Sequence, residues 1–279
     1  MKVLSISSIT VFAAATLFAC SDKGSEPAAK TASPKTATSK PAPAPKPAPA
    51  EAPKAAETAT KAAAPAASEG SGEAVLTGVV NFTGDAPAET KIDMSPQPAC
   101  VKVAKDTMTN EYRIKDGKVQ DVFVYVKNPP KKKYDVPKEA VVLDQVGCRY
   151  TPKVFGVMVK QPIEIINSDP MMHNIHPLGK NTFNLAMPNQ GMKLKKKFKK
   201  EQVLTPIMCD VHPWMKSYAG VLKHPFFAVT DAAGTFSIKG LPAGTYTVAA
   251  VHGVLGEKTA EVTVGASGEV KAEFAFTAP

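Results

Sequence analysis

Three side chains that bind soft metal ions lie within the seven-residue segment CDVHPWM, at positions 209–215. Cys209 supplies a thiolate, His212 an imidazole and Met215 a thioether. A copper electron-transfer centre is built from two imidazoles and one thiolate in a trigonal arrangement, with a weak and distant axial thioether. The segment therefore carries three of the four donors of such a centre, and a second histidine must come from elsewhere in the chain.

The second imidazole has four candidates, which are the remaining histidines His173, His176, His224 and His252. The segment INSDPMMHNIHPLG carries two of them, three residues apart. Neighbouring residues of a strand face opposite sides, so only one of this pair is expected to reach a metal ion. The residues alone leave either of the two open, and they also leave open that Met215 only packs in the core.

The first 72 residues are predicted to export the protein and to tether it. Residues 1–20 carry a lysine followed by a short apolar run, which is typical of an export signal. The run ends in LFAC, which resembles a bacterial lipobox and implies that Cys20 is acylated; the alternative is ordinary cleavage near Ala19. Residues 21–72 are rich in Ala, Pro and Lys and contain no aromatic residue, which predicts an unfolded tether. We expect a lipid-anchored protein of the cell envelope that faces the periplasm, from the outer membrane in a Gram-negative cell.

The remainder of the chain, 73–279, contains short β-rich runs such as VFVYV, IEII, GTFSI and AEVTV, separated by Gly, Pro, Asn and Asp. No helical stripe of apolar residues interrupts them. Short strands at such close spacing are typical of antiparallel sandwiches. The predicted fold class is therefore all-β.

Positive charge is concentrated in one segment of this folded part. From residue 73 onward, 26 Lys and Arg stand against 20 Asp and Glu, a surplus of six. The segment KLKKKFKK alone holds six lysines, which are Lys193, Lys195, Lys196, Lys197, Lys199 and Lys200. One interpretation is a solvated edge strand whose lysines discourage pairing with other chains. The other is a docking surface for an acidic partner or an anionic membrane face; nucleic acid is not an expected partner of an exported protein.

Two of the four cysteines are predicted to form a disulfide. Cys20 belongs to the lipobox and Cys209 to the ligand segment, which leaves Cys100 and Cys148. Pairing is the usual state of cysteines in an oxidising compartment outside the cytoplasm. A bond that closes a loop of this length would contribute about 4 kcal/mol to stability. The alternative is two buried free thiols.

The ligand segments resemble those of small blue copper proteins, the cupredoxins of the plastocyanin and amicyanin type. YTPKVFGVMVKQPIEIINSDPMMHN, at 150–174, is similar to the segment that carries the first histidine ligand in that family, and CDVHPWM to the loop that carries the other ligands. The resemblance covers about 141–222 and implies a Greek-key β-sandwich. It implies one copper ion bound by His173, Cys209, His212 and Met215. It also implies that Asn174 hydrogen-bonds across to the cysteine loop, which Pro213 would stiffen by fixing φ.

The C-terminal segment resembles a different small β-sandwich. The DAAG turn and the GLPAGTY strand entry of 226–279 are similar to a carboxypeptidase regulatory-like, or transthyretin-like, domain. AVLTGVVNFTGDAP, at the start of 74–137, resembles the first strand of the same module. We therefore expect one sandwich that is split by a copper domain at 138–225. The alternative is two domains in series.

The leading functional hypothesis is a membrane-tethered, monomeric electron carrier. Electrons would pass through an exposed edge of His212, beside the surface aromatic Trp214, to a redox protein such as an acidic c-type cytochrome. The alternative is a copper-handling protein that uses the same site, because thioethers bind Cu(I) and residues 158–215 are rich in methionine. An enzyme is not expected, because a copper oxidase or nitrite reductase would need a second copper centre and the chain has only five histidines. Zinc is a further alternative, but it would gain nothing from Met215.

Overall fold

The computed structural model describes residues 73–278 of the chain. The predicted export signal, Cys20 and the predicted tether lie outside these residues. The described part is all-β, as predicted, with eighteen strands, one short α-helix and one short 3-10 helix. Within the same range, no helix is long and apolar enough to cross a membrane.

The strands fall into three groups along the chain. The first group and its helix are β1 (Glu73–Thr83), α1 (Pro98–Val103), β2 (Ile114–Lys115), β3 (Lys118–Val119) and β4 (Phe123–Val126). The second group is β5 (Val141–Gln145), β6 (Tyr150–Thr151), β7 (Val154–Met158), β8 (Pro162–Asn167), β9 (His173–Pro177), the 3-10 helix (Gly179–Asn181), β10 (Leu185–Met187), β11 (Lys193–Lys197), β12 (Gln202–Met208) and β13 (Lys216–Leu222). The third group is β14 (Phe227–Val229), β15 (Thr235–Leu241), β16 (Gly244–His252), β17 (Gly256–Val264) and β18 (Ser267–Thr277).

Strands from both ends of the described chain share two sheets, which we call the terminal sandwich. In one sheet β1 pairs with β15, β3 and, in parallel along its whole length, with β18. In the other sheet the order is β14-β4-β16-β17. The inward faces of both sheets contribute to one apolar core that includes Leu76, Val124, Val248 and Phe274. We propose on this basis that the second group of strands is inserted into a single sandwich.

The second group of strands forms two further sheets, which we call the middle sandwich. Their strand orders are β10-β9-β12-β13-β7 and β11-β8-β5-β6. The strand β8 shows why this sequence forms a sheet with one buried face. Ile163 and Ile165 are buried, whereas Glu164 and Ile166, which alternate with them, are more exposed. Its buried face joins Leu143 in a core that also contains the side chain of Cys209. The candidate ligands are therefore anchored in the apolar core of this sandwich.

Strand pairing brings the predicted ligand segments to one end of the middle sandwich. The strand β9 begins at His173, and β12 ends one residue before Cys209. These two strands are antiparallel neighbours, with Met208 opposite His176, so the start of one lies beside the end of the other. The strands β5 and β8 run in parallel and end together, with Gln145 opposite Asn167. The turns that follow both of them therefore also reach the ligand end.

The two sandwiches are joined by a shared apolar cluster. It contains Phe123, Tyr125, Val154, Met158, Leu222, Phe227 and Ala249, all buried. Gly156 and Gly220 are paired on β7 and β13, and they leave room for two aromatic rings. A Cβ atom on Gly220 would lie 2.1 Å from Cζ of Phe123, and one on Gly156 would lie 2.3 Å from Cδ2 of Phe227. The rings of the terminal sandwich thus press directly against the backbone of the middle sandwich.

Candidate metal centre

The loop between β12 and β13 is closed by its own backbone hydrogen bonds. The amide of Met215 donates to the carbonyl of His212 at 2.9 Å, and the amide of Cys209 donates to the carbonyl of Met215 at 3.3 Å. Pro213 is exposed in the same loop, where its ring restricts the backbone to a narrow range of φ. The three side chains of the segment are consequently held in a compact turn.

The structure brings His173 to this loop and forms a buried cluster of donor atoms. Nδ1 of His173 lies 2.9 Å from Nδ1 of His212, and Sγ of Cys209 lies 3.7 Å from the same His212 nitrogen. All three donor atoms lie within 4.8 Å of one another. His173 is 0% exposed, His212 is 2% exposed and Cys209 is 1% exposed. Met215, on the same loop, is also fully buried. Two imidazoles and one thiolate, converging in a water-excluded pocket, form a donor set that suits copper.

Asn174 connects the histidine strand to the cysteine loop. Its Oδ1 accepts a hydrogen bond from the amide of Asp210 at 2.7 Å and lies 3.3 Å from Sγ of Cys209. Its Nδ2 donates to Asn184 at 2.8 Å and to the carboxylate of Asp210 at 3.1 Å. The hydroxyl of Tyr150 donates to the carbonyl of Met208 at 3.0 Å and also to the carbonyl of Asn174. Hydrogen bonds thus fix β9 and the end of β12 from two sides.

Asp169 is a component of the site that the sequence analysis missed. Its side chain is 4% exposed, and Oδ2 lies 2.9 Å from Nε2 of His173. The carboxylate also accepts hydrogen bonds from the amides of Gly147 and Cys148, each at 2.7 Å. The only signal in the sequence was an acidic residue four positions before a candidate ligand. That signal is common and would not have identified Asp169 by itself.

The thiol of Cys209 is tuned by its surroundings. Burial by itself would raise its pKa, but hydrogen bonds with His173 and His212 and with the amide of Asn174 lower the pKa to about 6. Burial by itself would lower the pKa of the His173 imidazole. Hydrogen bonds with Asp169 and Cys209 have the larger combined effect and raise that pKa. The cysteine can therefore present a thiolate, which is the form that binds metal ions.

The structure corrects the expectation of an exposed edge on His212. That side chain is buried, and the ring of Trp214 packs on it with 5.3 Å between centroids. Trp214 itself is half-buried and donates from Nε1 to the carbonyl of Cys148 at 3.2 Å.

The predicted disulfide lies beside the same histidine. Cys100 and Cys148 form a disulfide, and both sulfur atoms lie within 4.8 Å of a ring nitrogen of His212. Cys100 of α1 thus lies beside the His212 ring, a proximity that local sequence patterns did not reveal.

The other histidines are occupied elsewhere. His176 is half-exposed and pairs with the carboxylate of Asp210, Nδ1 to Oδ1 at 3.0 Å. His224 is buried, and its Nδ1 accepts a hydrogen bond from the amide of Phe226 at 3.2 Å. Every group of described residues that could hold a metal ion contains His173 or His212. Of the two neighbouring histidines in the sequence, the structure thus aims His173 at Cys209 and turns His176 away.

Acid is expected to destabilise the fold partly through His252. This side chain is 5% exposed, and Nδ1 accepts from the amides of Val254 and Leu255 at 3.2 and 3.1 Å. Burial and the charge of Lys153 lower its pKa from 6.5 to about 4. The unfolded chain therefore takes up the proton first, so stability is unaffected above pH 6.5 and falls as the pH drops towards 4. The loss should reach about 3 kcal/mol.

Urea unfolding of the wild type and of His252→Asn at several pH values measures this effect. The amide oxygen of asparagine can accept the same two hydrogen bonds without titrating. The difference between the two proteins should be constant above pH 7 and should change between pH 6.5 and 4. Parallel pH profiles would show that His252 does not contribute.

Comparisons with known proteins find distant structural similarity to cupredoxins. No protein-family model matches the chain, and no curated protein matches it. A copper-containing nitrite reductase from Thermus scotoductus SA-01 is similar at 20% identity and a TM-score of 0.28, over 35% of this chain and 26% of the reductase. A purple cupredoxin from Nitrosopumilus maritimus is similar at 22% identity and a TM-score of 0.26, over 29% of this chain and 98% of the cupredoxin. A reduced point mutant of amicyanin is similar at 21% identity and a TM-score of 0.27, over 35% of this chain and 97% of amicyanin.

Proposed function

We propose that this protein binds one copper ion through His173, Cys209, His212 and Met215 and carries single electrons between redox proteins. The observation that carries the proposal is the convergence of two imidazole Nδ1 atoms, 2.9 Å apart, with a buried thiol 3.7 Å from one of them. When bound, copper supplies a one-electron couple, because sulfur ligands favour Cu(I) and imidazoles accept Cu(II).

The residues around the donors suit electron transfer because they hold the site in one arrangement. Asn174 bridges Cys209 and Asp210, and the backbone bonds within the loop close it around Met215. A site that is rigid before and after a change of charge needs little rearrangement. Met215 is fully buried in the same apolar core as Cys209, which supports its thioether as the fourth, axial donor.

Electrons would cross the surface at Trp214 rather than at His212. The indole is half-buried, whereas the imidazole that it contacts is buried, and the two tilted rings have 5.3 Å between centroids. Large aromatic side chains with one polar edge are common at protein interfaces. We therefore infer that a partner docks over Trp214.

Copper handling at the same site is the second candidate. Met171 and Met172 favour it, because they lie two residues and one residue before His173 and Met172 is 47% exposed. Against it, Met158 and Met187 are buried in apolar cores, where methionine serves as packing. An enzymatic role is not proposed, because His176, His224 and His252 are engaged by Asp210 or by backbone amides.

A visible spectrum tests the proposed function. Copper(II) added to the protein under oxidising conditions should give intense blue or green colour, at one ion per chain. A zinc site would stay colourless, and so would a site that merely stores Cu(I). A colourless protein with copper bound would overturn the electron-carrier proposal.

The lysines of β11 are proposed to steer an acidic partner. Lys193, Lys195 and Lys197 are exposed on this strand, which lies at the end of its sheet. Lys193 pairs with Ile166, three residues before Asp169, so the strand starts near the ligand end. Such a field can raise association rates by about 10- to 1,000-fold, and it is screened over ~10 Å at 0.1 M salt.

Stopped-flow rates with an acidic redox protein measure this steering. The triple change Lys193→Gln, Lys195→Gln and Lys197→Gln should slow association about tenfold at low salt and flatten the salt dependence. The matched control changes three exposed lysines of the terminal sandwich, Lys115, Lys258 and Lys271. If both triple variants slow association equally, the β11 lysines do not steer the partner. Their role would then be to keep an edge strand from pairing with other chains.

Membrane attachment through Cys20 and a periplasmic location remain part of the proposal. They rest on the export signal, the lipobox and the composition of residues 21–72.

A further inference from the structure

A buried carboxylate lies directly behind one of the proposed copper ligands. Asp169 follows β8, and the Gly147–Cys148 amides follow β5, so the parallel pairing of these strands puts both turns at the same edge. The carboxylate accepts from both amides at 2.7 Å and lies 2.9 Å from Nε2 of His173. Its own amide donates to Oδ1 of Asn167 at 3.1 Å. A carboxylate with three donors, on a side chain that is 4% exposed, is fixed in position.

The contact with His173 decides which ring nitrogen can bind a metal. A carboxylate only accepts hydrogen bonds, so Nε2 of His173 must carry the proton that it donates. In the neutral ring, Nδ1 then holds a lone pair. That nitrogen is the one that lies 2.9 Å from Nδ1 of His212, inside the cluster that also contains the thiol of Cys209.

We propose that Asp169 is a positioning residue of the copper centre, which holds His173 as an Nδ1 donor and lowers the reduction potential. This inference rests on the proposed function. A carboxylate behind a histidine ligand makes the imidazole a stronger donor. Its negative charge, in a buried site where solvent screens little, also favours the more highly charged oxidised ion over the reduced one.

The same carboxylate ties the ligand to the disulfide. It binds the amide of Cys148, and the carbonyl of Cys148 accepts from Trp214. The ligand His173 and the proposed docking residue Trp214 are therefore connected through one residue of the disulfide loop. If Asp169 served only to stabilise the turn at Gly147 and Cys148, its contact with His173 would not be needed.

Nitrogen NMR of the copper-free wild type is the first test. At alkaline pH, where the ring is neutral, His173 should show the proton on Nε2. This measurement needs no variant and no metal. A ring that carries its proton mainly on Nδ1 would overturn the inference.

The second test compares Asp169→Asn with Asp144→Asn. The first change removes the charge behind His173 and keeps the shape of the side chain. Asp144 is the matched control, because it is a half-buried carboxylate in the same region that hydrogen-bonds Ser168 at 2.8 Å. Copper(II) affinity should fall about 10- to 100-fold in Asp169→Asn and much less in the control.

The reduction potential separates positioning from simple structural support. If the ratio of Cu(II) to Cu(I) affinity falls tenfold, the potential rises by about 59 mV. Thermal unfolding of both variants reports any loss of stability independently. An Asp169→Asn variant that is less stable but has an unchanged affinity ratio, or a control with an equal shift, would overturn the inference.

The two proposals fail in different ways. A copper complex without colour would overturn the proposed function, while the NMR result still tests the pairing of Asp169 with His173. A coloured wild type with an Nδ1-protonated ring would overturn only the role of Asp169.

Discussion

Replacing Cys209 with serine is expected to abolish the visible colour of the copper-loaded protein. The thiolate is the only soft, strongly covalent donor in the cluster, and its bond to Cu(II) is the source of intense absorption in sites of this type. The pKa of Cys209 is lowered to about 6, so the wild type provides a thiolate at neutral pH. A serine hydroxyl keeps its proton there and is a hard donor.

Some copper should still bind to Cys209→Ser. His173 and His212 remain, and their Nδ1 atoms face each other at 2.9 Å. The measurement therefore combines a visible spectrum with the copper content of the same sample. The expected result is complete loss of the intense band with part of the copper retained.

Met215→Leu is the matched comparison on the same loop. An axial thioether is long and weak, so its removal should keep copper and colour. It should raise the potential, because a lost donor disfavours Cu(II). A Cys209→Ser protein that keeps the colour would contradict the proposed ligand set. A copper-handling site would instead show little colour in the wild type and a loss of Cu(I) affinity in Met215→Leu.

The sequence was most informative where chemistry depends on local spacing. Cys209, His212 and Met215 lie on one turn, so their proximity follows from the chain itself. The alternation of Ile163 and Ile165 with more exposed residues likewise follows from the two-residue period of a strand. The all-β class was accordingly predictable from short segments.

Features that depend on long-range pairing were not predictable in the same way. Asp169 meets Cys148 because β5 and β8 pair in parallel, and no local pattern specifies that register. The buried His212 lies beside the disulfide between Cys148 and Cys100, and Cys100 is more than a hundred residues earlier in the chain. A set of ligands can thus be proposed from the sequence. The solvent exposure of those ligands can be known only from the folded structure.

Adding a methyl group at Gly220 is expected to destabilise the protein strongly. The new Cβ would lie 2.1 Å from Cζ of Phe123, which is closer than real side chains approach. Phe123 is fully buried, stacks on Tyr125 at 5.7 Å between centroids and contacts the tilted ring of Phe227 at 5.6 Å. Because protein interiors are closely packed, a fully buried ring cannot turn away from the new methyl group without displacing its neighbours. Overpacking of this kind costs about 3 kcal/mol.

Thermal and urea unfolding of Gly220→Ala measure the loss, and Gly265→Ala is the control. A Cβ on Gly265 would have only the carbonyl of Ser267 nearby, at the ordinary contact distance of 3.5 Å. The control should therefore unfold close to the wild type. Equal stability of both variants would show that the two sandwiches are not held together at this glycine.

A compensating change identifies the cause of the lost stability. Phe123→Leu removes ring atoms at the position where the new methyl group would clash, so the double variant should be more stable than the sum of the two single changes implies. The visible colour of the copper-loaded Gly220→Ala protein should be unchanged. Gly220 lies on β13, five residues beyond Met215, and it contacts the terminal sandwich rather than the proposed ligands. Loss of colour in a folded Gly220→Ala protein would show instead that the terminal sandwich holds the ligand loop in place. Retained colour with lowered stability would show that the site depends on the middle sandwich alone, with the terminal sandwich contributing stability through Phe123 and Phe227.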